Sequence, residues 1–243
     1  MQDFYERDVL VSSTLVDSTC HMSLFQADML LQDAMTELFW SYECDAVRLS
    51  RDYGAVWAVA RSKLIFDRMP FWMDRIHLRV FPVKVTPVSI HVDLLLEGLD
   101  GTPLIRGKQE LCAVDVQGHG LRRVDTTSFP REMALLPPAV TAPFRRKKVV
   151  LWEEDLRCRH IVRYSDTDMN RHMNNVAYVR LLLDAFPAAF WTEREVEEFD
   201  IQYVSECLEG ETLDVLARQE GDEVDVLMQT EGRICVKAFL KLK

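Results

Sequence analysis

Long apolar runs are missing from this chain: none approaches the roughly 18–20 residues that a membrane-spanning helix needs. Glycine and proline are scarce, at nine each in 243 residues, which excludes collagen-like and low-complexity chains. The opening MQDFYERDVL lacks the apolar core of a secretory signal and is not acid-poor like a transit peptide, so a cytoplasmic address without stable membrane insertion is expected. No C-x-x-C pair occurs among the six cysteines (20, 44, 112, 158, 207 and 235), and none clusters with histidine at ligand spacing. Neither a disulfide framework nor a zinc site is indicated, and no cofactor or metal is expected. A basic excess is absent too. The net charge of −10 argues against phosphate-backbone binding, so no nucleic-acid partner is expected.

What is present is an ordinary globular composition, 48% hydrophobic and 28% charged, with enough chain for one large domain or two small ones. The charge is uneven. Residues 1–148 hold 18 Lys and Arg against 19 Asp and Glu, whereas residues 149–243 hold 11 against 20, so the acidity belongs to the C-terminal part.

The chain also repeats itself. Residues 17–40, DSTCHMSLFQADMLLQDAMTELFW, align without a gap on 168–191, DMNRHMNNVAYVRLLLDAFPAAFW, with nine identities in 24 positions. The pairs include Asp17 with Asp168, His21 with His172, and Phe39-Trp40 with Phe190-Trp191. Each copy reads as a short β-like run, a polar loop, one long apolar helix and then several strands. In the second copy Val179, Leu182, Leu183, Phe186 and Phe190 recur at spacings of three and four, with Pro187 expected to kink or end the helix. Alternation follows in each copy, at Val88, Ile90, Val92 and Leu94 and again at Leu213, Val215 and Ala217. Leu99-Asp100-Gly101, Gly118-His119-Gly120 and Gly221-Asp222 mark turns. One helix plus antiparallel strands, twice, predicts an α+β protein in which each sheet wraps its own helix.

Between the copies, residues 126–148 contain four of the nine prolines and no period, and read as a linker. The expected division is therefore 1–125, a linker at 126–148, and 149–243. The linker ends in Arg145-Arg146-Lys147-Lys148, either a solvated charge run or a docking patch for an acidic partner, with Arg122, Arg123 and Arg131 as further candidates.

The chemistry concentrates in RYSDTDMNRHMNNVAYV, residues 163–179. If the segment before the helix is extended, Asp168, Asn170 and His172 point to one side, so a carboxylate, an amide and an imidazole converge. Asn174 or Asn175 is suited to cap the helix, whose first N–H groups form a partly positive end able to polarise a carbonyl oxygen. An acid–base trio beside an oxyanion site is what acyl-group hydrolysis requires.

The run DTDMNRHMNN followed by Tyr178 resembles the D-x-N-x-H-x-N-N signature of the acyl-acyl-carrier-protein thioesterases, and Tyr203-Val204-Ser205-Glu206-Cys207 resembles that family's strand ending in Glu-Cys. The resemblance implies a double, tandem hotdog fold: an N-terminal domain that holds the acyl chain and a C-terminal catalytic one. It implies catalytic roles for Asp168, Asn170, His172 and Glu206, with Cys207 a competing candidate, and acyl carrier protein as the partner bearing the substrate. The first copy keeps Asp17 and His21 but has Thr19, Ser23 and Leu24 opposite Asn170, Asn174 and Asn175. No Glu-Cys pair follows it, the region taken to correspond being Asp52-Tyr53-Gly54-Ala55. One site per chain is therefore expected, in the second half, with some of Leu30, Leu31, Met35, Trp57, Phe66 and Phe71 lining the acyl tunnel.

The function expected is hydrolysis of fatty acyl thioesters on acyl carrier protein, releasing free fatty acid in fatty acid biosynthesis. The alternatives are an acyl-CoA thioesterase of the hotdog superfamily and a non-catalytic acyl-binding protein. Hydration or dehydration of acyl thioesters fits the residue set poorly. Acyl-chain length, and whether the chain is a monomer or a homodimer, stay open at this level. Two mechanisms compete: a water activated by Glu206, or attack by a Cys207 thiolate. If the Glu-Cys segment is a strand, only one of the two faces the site.

Overall fold

A computed structural model describes residues 3–118, 120–146 and 148–243; His119 in the second turn and Lys147 in the basic run lie outside the described residues. The chain forms two compact units, Met1–Ala142 and Pro143–Lys243. The elements of the first are β1 (Tyr5–Leu10), α1 (Leu24–Ser41), α2 (Ala46–Tyr53), β2 (Ala55–Phe66), β3 (Arg75–Val85), β4 (Ile90–Gly98), β5 (Pro103–Asp115) and β6 (Leu121–Arg122). The second contains β7 (Leu156–Ile161), α3 (Asn175–Asp184), α4 (Ala188–Thr192), β8 (Val196–Tyr203), β9 (Thr212–Glu220), β10 (Glu223–Thr230) and β11 (Arg233–Leu242).

The first sheet is antiparallel in the order β2-β5-β4-β3-β1, with the short β6 against β5. Helix α1 packs on β3 and β1. Its buried face, Leu24, Ala27, Leu30, Leu31, Ala34, Met35, Leu38 and Phe39, follows the three- and four-residue spacing of one helical stripe. Gly107 on β5 faces this packing: a methyl group there would lie 2.9 Å from Leu64 Cδ2 on β2, so the Leu64 side chain would have to shift, and 3.5 Å from Leu31 Cδ2 of α1, an ordinary van der Waals contact. The shorter α2 begins at Asp45, whose carboxylate accepts the Val47 and Arg48 N–H groups, and ends at Gly54 in the left-handed conformation, φ 61°.

The second sheet has the order β8-β11-β10-β9-β7, also antiparallel, with the same connectivity as the first. Helix α3 buries Val176, Ala177, Tyr178, Val179, Leu181 and Leu182. It stops at Asp184, and Pro187 serves as the N-cap residue of α4. Leu213, Val215 and Ala217 are fully buried on β9, as their alternation requires. The α+β plan of one antiparallel sheet and one long helix thus occurs twice, on one topology.

The proline-rich stretch packs more firmly than a tether. Phe129 is buried, with edge-to-face contacts to Phe39, Tyr42 and Trp57. The Ala139 and Val140 N–H groups donate to the buried carboxylate of Asp93 on β4. Residues 126–142 therefore belong physically to the first unit.

Candidate functional site

The segment that carries the sequence signature is a tight turn rather than the extended run read from alternation. The Asp168 N–H donates to the His172 carbonyl (2.9 Å), and the Arg171 N–H to the Asp168 carbonyl (3.0 Å). Arg171 takes a left-handed φ of 64°. Asp168 Oδ1 accepts the Asn170 N–H at 2.8 Å, so that carboxylate folds back on its own turn, as short acidic side chains do where extended pairing is not available. Backbone closure of the turn, not strand alternation, sets where these side chains sit.

The turn brings His172 to Glu206. Their Nε2 and Oε2 atoms are 3.2 Å apart, the imidazole about 30% and the carboxylate about 50% exposed. A bridge between His172 and Leu208 and a bond from the Met173 N–H to the Cys207 carbonyl (2.8 Å) clamp the two segments together. Strand β8 ends at Tyr203, so Glu206-Cys207 lies just beyond the strand that was expected to carry it. Arg233 holds this irregular stretch: its guanidinium bonds to the Glu206 carbonyl, to Ser205 Oγ (3.1 Å) and to Glu211 Oε1 (2.6 Å).

Glu206 and Cys207 still face opposite ways. Cys207 has no exposed surface and its Sγ lies 2.8 Å from Cys235 Sγ, whereas Glu206 is open to solvent. The Cys235 contact and burial together push the Cys207 thiol well above the ordinary cysteine range. The Cys207 sulfur therefore belongs to the core behind the site.

Asn174 is the N-cap of α3, its Oδ1 accepting the Val176 N–H at 2.9 Å, and Asn175 is the first helical residue. The Asn175 carbonyl accepts the Tyr203 hydroxyl at 3.4 Å. The positive end of the helix thus opens beside His172. Among the described residues no group of three or more His, Cys, Asp or Glu side chains is placed to hold a metal ion.

The first copy has the same turn with other side chains. The Asp17 N–H donates to the His21 carbonyl (2.9 Å), Asp17 Oδ1 accepts the Thr19 N–H (2.8 Å), and Cys20 has φ 62°. His21 bridges to Phe71, and the Met22 N–H donates to the Pro70 carbonyl (2.9 Å). Matching these bonds to those at Met173 and His172 makes Met69-Pro70 the counterpart of Glu206-Cys207. That corrects the sequence assignment to Asp52-Tyr53-Gly54-Ala55, which instead forms the end of α2 and the start of β2. His21 packs edge-on against Phe71 and meets the Thr19 carbonyl and hydroxyl, with no carboxylate in Glu206's place.

Of the suggested tunnel residues, Leu30, Leu31, Met35 and Phe66 are buried in the first unit, whereas Phe71 is exposed. Most of the proposed basic docking residues are already engaged. Arg145 donates to Glu223 (2.8 Å) and lies over the Phe239 ring, Arg122 pairs with Asp115, Arg123 with Asp125, and Arg131 with the Asp125 carbonyl. Arg146 and Lys148 are exposed.

Residues 151–238 match the acyl-ACP thioesterase C-terminal domain family. An oleoyl-acyl carrier protein thioesterase of Coriandrum sativum chloroplasts is 23% identical over 178 residues, covering 69% of this chain and 48% of its own. A chloroplastic palmitoyl-acyl carrier protein thioesterase of Arabidopsis thaliana is 23% identical over 202 residues, covering 77% and 47%. The chain thus spans about half the length of the curated relatives it matches. An acyl-ACP thioesterase from Bacteroides thetaiotaomicron superposes with a TM-score of 0.88 at 15% identity, over 99% of this chain and 98% of that one. The 12:0-ACP thioesterase from Umbellularia californica gives 0.85 at 17% identity, over 100% and 98%. Both superpositions show the double hotdog fold. Sequence along the C-terminal half and fold along the whole chain establish the resemblance to the acyl-acyl-carrier-protein thioesterases.

Proposed function

We propose that this chain hydrolyses fatty acyl thioesters borne by acyl carrier protein, with the C-terminal unit catalytic and the N-terminal unit holding the acyl chain. The observation that carries this reading is the His172–Glu206 contact at 3.2 Å beside the N-terminus of α3, in the unit that matches the family. Glu206 takes a proton from water as the water oxygen attacks the thioester carbonyl carbon. His172 and Asn170 orient the water and the thioester, and Asp168 holds their turn in shape. The α3 terminus, including the Asn175 N–H, stabilises the negative charge on the carbonyl oxygen. The C–S bond then breaks, the sulfur leaves as a thiol after taking up the proton, and the acyl group departs as free fatty acid. A thioester is activated enough for direct attack by water, and a cysteine nucleophile would only exchange one thioester for another.

The carrier is acidic, and the chain's own charge of −10 repels it unless cations act at short range. Arg146 and Lys148 are the docking residues this reading retains from the basic run. All six cysteines are free, as suits a reducing compartment such as the cytoplasm.

The test is thiol release from acyl carrier protein and coenzyme A thioesters of matched acyl chain. Faster turnover of the carrier-protein substrate supports the reading, preference for coenzyme A makes the chain an acyl-CoA thioesterase, and binding without thiol release makes it an acyl-binding protein.

A further inference from the structure

Beneath the turn lies an ionic cluster with no counterpart in the first copy. Asp166, about 2% exposed, bonds through Oδ2 to His160 Nε2 on β7 (2.7 Å) and to the Arg163 N–H (2.8 Å), while its Oδ1 takes the Arg180 guanidinium of α3. Its backbone carbonyl accepts the Asn174 N–H (2.8 Å), the N-cap position of that helix. One residue therefore ties the strand, the turn's entry and the helix whose N-terminus the proposed hydrolysis uses. Burial pulls the Asp166 carboxyl upward, but the Arg163 N–H, His160 and Arg180 more than offset it and hold it below the usual carboxylate range.

The repeat supplies a control. Strand β1 aligns with β7, the short helical turn 13–15 with 164–166, and the start of α1 with that of α3. On that alignment Val9, Leu15 and Met29 stand at the positions of His160, Asp166 and Arg180. Val9 and Leu15 are buried, and the turn they underlie has the same backbone bonds. There the N-cap Ser23 N–H is taken by Gln26 of its own helix (3.2 Å), whereas Asn174 relies on Asp166. An apolar trio thus suffices to build the turn, and an ionic set around one buried carboxylate, with His160 and Arg180 partly exposed, offers no general gain in stability over apolar side chains of similar volume. The ionic version is confined to the copy that pairs His172 with Glu206.

We infer that His160, Asp166 and Arg180 are positioning residues for hydrolysis. Their directional bonds fix the His172 turn and the α3 terminus relative to each other, a registry that apolar contacts set less tightly. The inference rests on the thioesterase reading and deepens it, since none of the three side chains is placed on the reacting atoms.

The experiment transplants the first copy's residues as the triple variant His160→Val, Asp166→Leu and Arg180→Met. Melting temperature, kcat and KM on an acyl-acyl-carrier-protein substrate, and the His172 ring resonances of the unliganded protein are compared with wild type. Expected are a melting temperature within about 4 °C, kcat down about tenfold or more, KM within about twofold, and displaced or broadened His172 resonances. A folded triple variant with wild-type kcat and unchanged His172 resonances overturns the inference. Should the triple variant not fold, Arg180→Lys and Arg180→Met decide: retained kcat in the first with loss in the second supports the role, and equal kcat in both overturns it. If the wild type releases no thiol, the thioesterase reading fails, while the His172 resonances still report whether the cluster positions the turn.

Discussion

Met69 occupies in the N-terminal unit the place that Glu206 occupies in the C-terminal unit, each lying one residue before the carbonyl that accepts the N–H of the methionine after the turn histidine. Two copies of one turn therefore carry different side chains at this position, a thioether in one and a carboxylate in the other. A thioether cannot take a proton from water, so only the second copy has the base that the proposed reaction needs.

Copying the first unit into the second should accordingly remove activity without unfolding the protein. Glu206→Met is expected to lower kcat by on the order of 10²-fold, the scale of general base catalysis. The half-exposed position keeps the melting temperature close to wild type. Met69→Ala is expected to leave kcat within a few-fold. Steady-state kinetics with thermal melts of both variants check the pair.

Burial separates the cysteines by reactivity. Cys20 is exposed, whereas Cys207 and Cys235 are fully buried against each other, and burial pushes the Cys44 thiol up to about 12. Iodoacetamide at neutral pH should alkylate Cys20 first and leave Cys44, Cys207 and Cys235 unmodified until denaturant is added, as peptide mass mapping over time would show.

Asp28 on α1 is buried, with Ser62 Oγ 3.5 Å away, and burial pushes its pKa up to about 7. The native state therefore keeps a proton that the unfolded chain releases near pH 4, so stability falls as pH rises from about 4 to about 7 and stays low above that. Val179 stands at this position in the second copy. Asp28→Val should raise stability at pH 8 by on the order of 2–4 kcal/mol and flatten the dependence between pH 5 and 8. Urea unfolding at several pH values tests it; an unchanged slope would exclude Asp28 as its source.

Replacing Arg146 and Lys148 with serine should raise KM for the carrier-protein substrate about three- to tenfold at low salt, and less at high salt. Turnover of a small thioester should not change. Equal effects on both substrates, or none on either, would remove these two cations from docking.

Much of the architecture was legible because helix and turn recur at one constant spacing: Asp17, His21 and Phe39-Trp40 sit where Asp168, His172 and Phe190-Trp191 do. The shift in spacing beyond that was not. Helix α1 has 18 residues against 10 in α3, and α2 follows it, so the strands after the helices align at a different offset. For that reason Met69 was invisible as Glu206's counterpart until backbone bonds identified it. Alternation also misread 168–172, since a carboxylate that accepts its own turn's N–H and a residue at positive φ leave no strand period. Asp166 carried no separate signal; only the apolar residues opposite it and its partners in the repeat could have drawn notice.

The measurement bearing most directly on Glu206 as the base that activates water compares kcat of Glu206→Ala and Cys207→Ala on one acyl-acyl-carrier-protein substrate, with mass spectrometry of acid-quenched wild type during turnover. The account predicts a loss of about 10²-fold or more for Glu206→Ala, substantial activity in Cys207→Ala and no acylated enzyme. A folded, substrate-binding but inactive Cys207→Ala together with an acyl group trapped on Cys207 would contradict it.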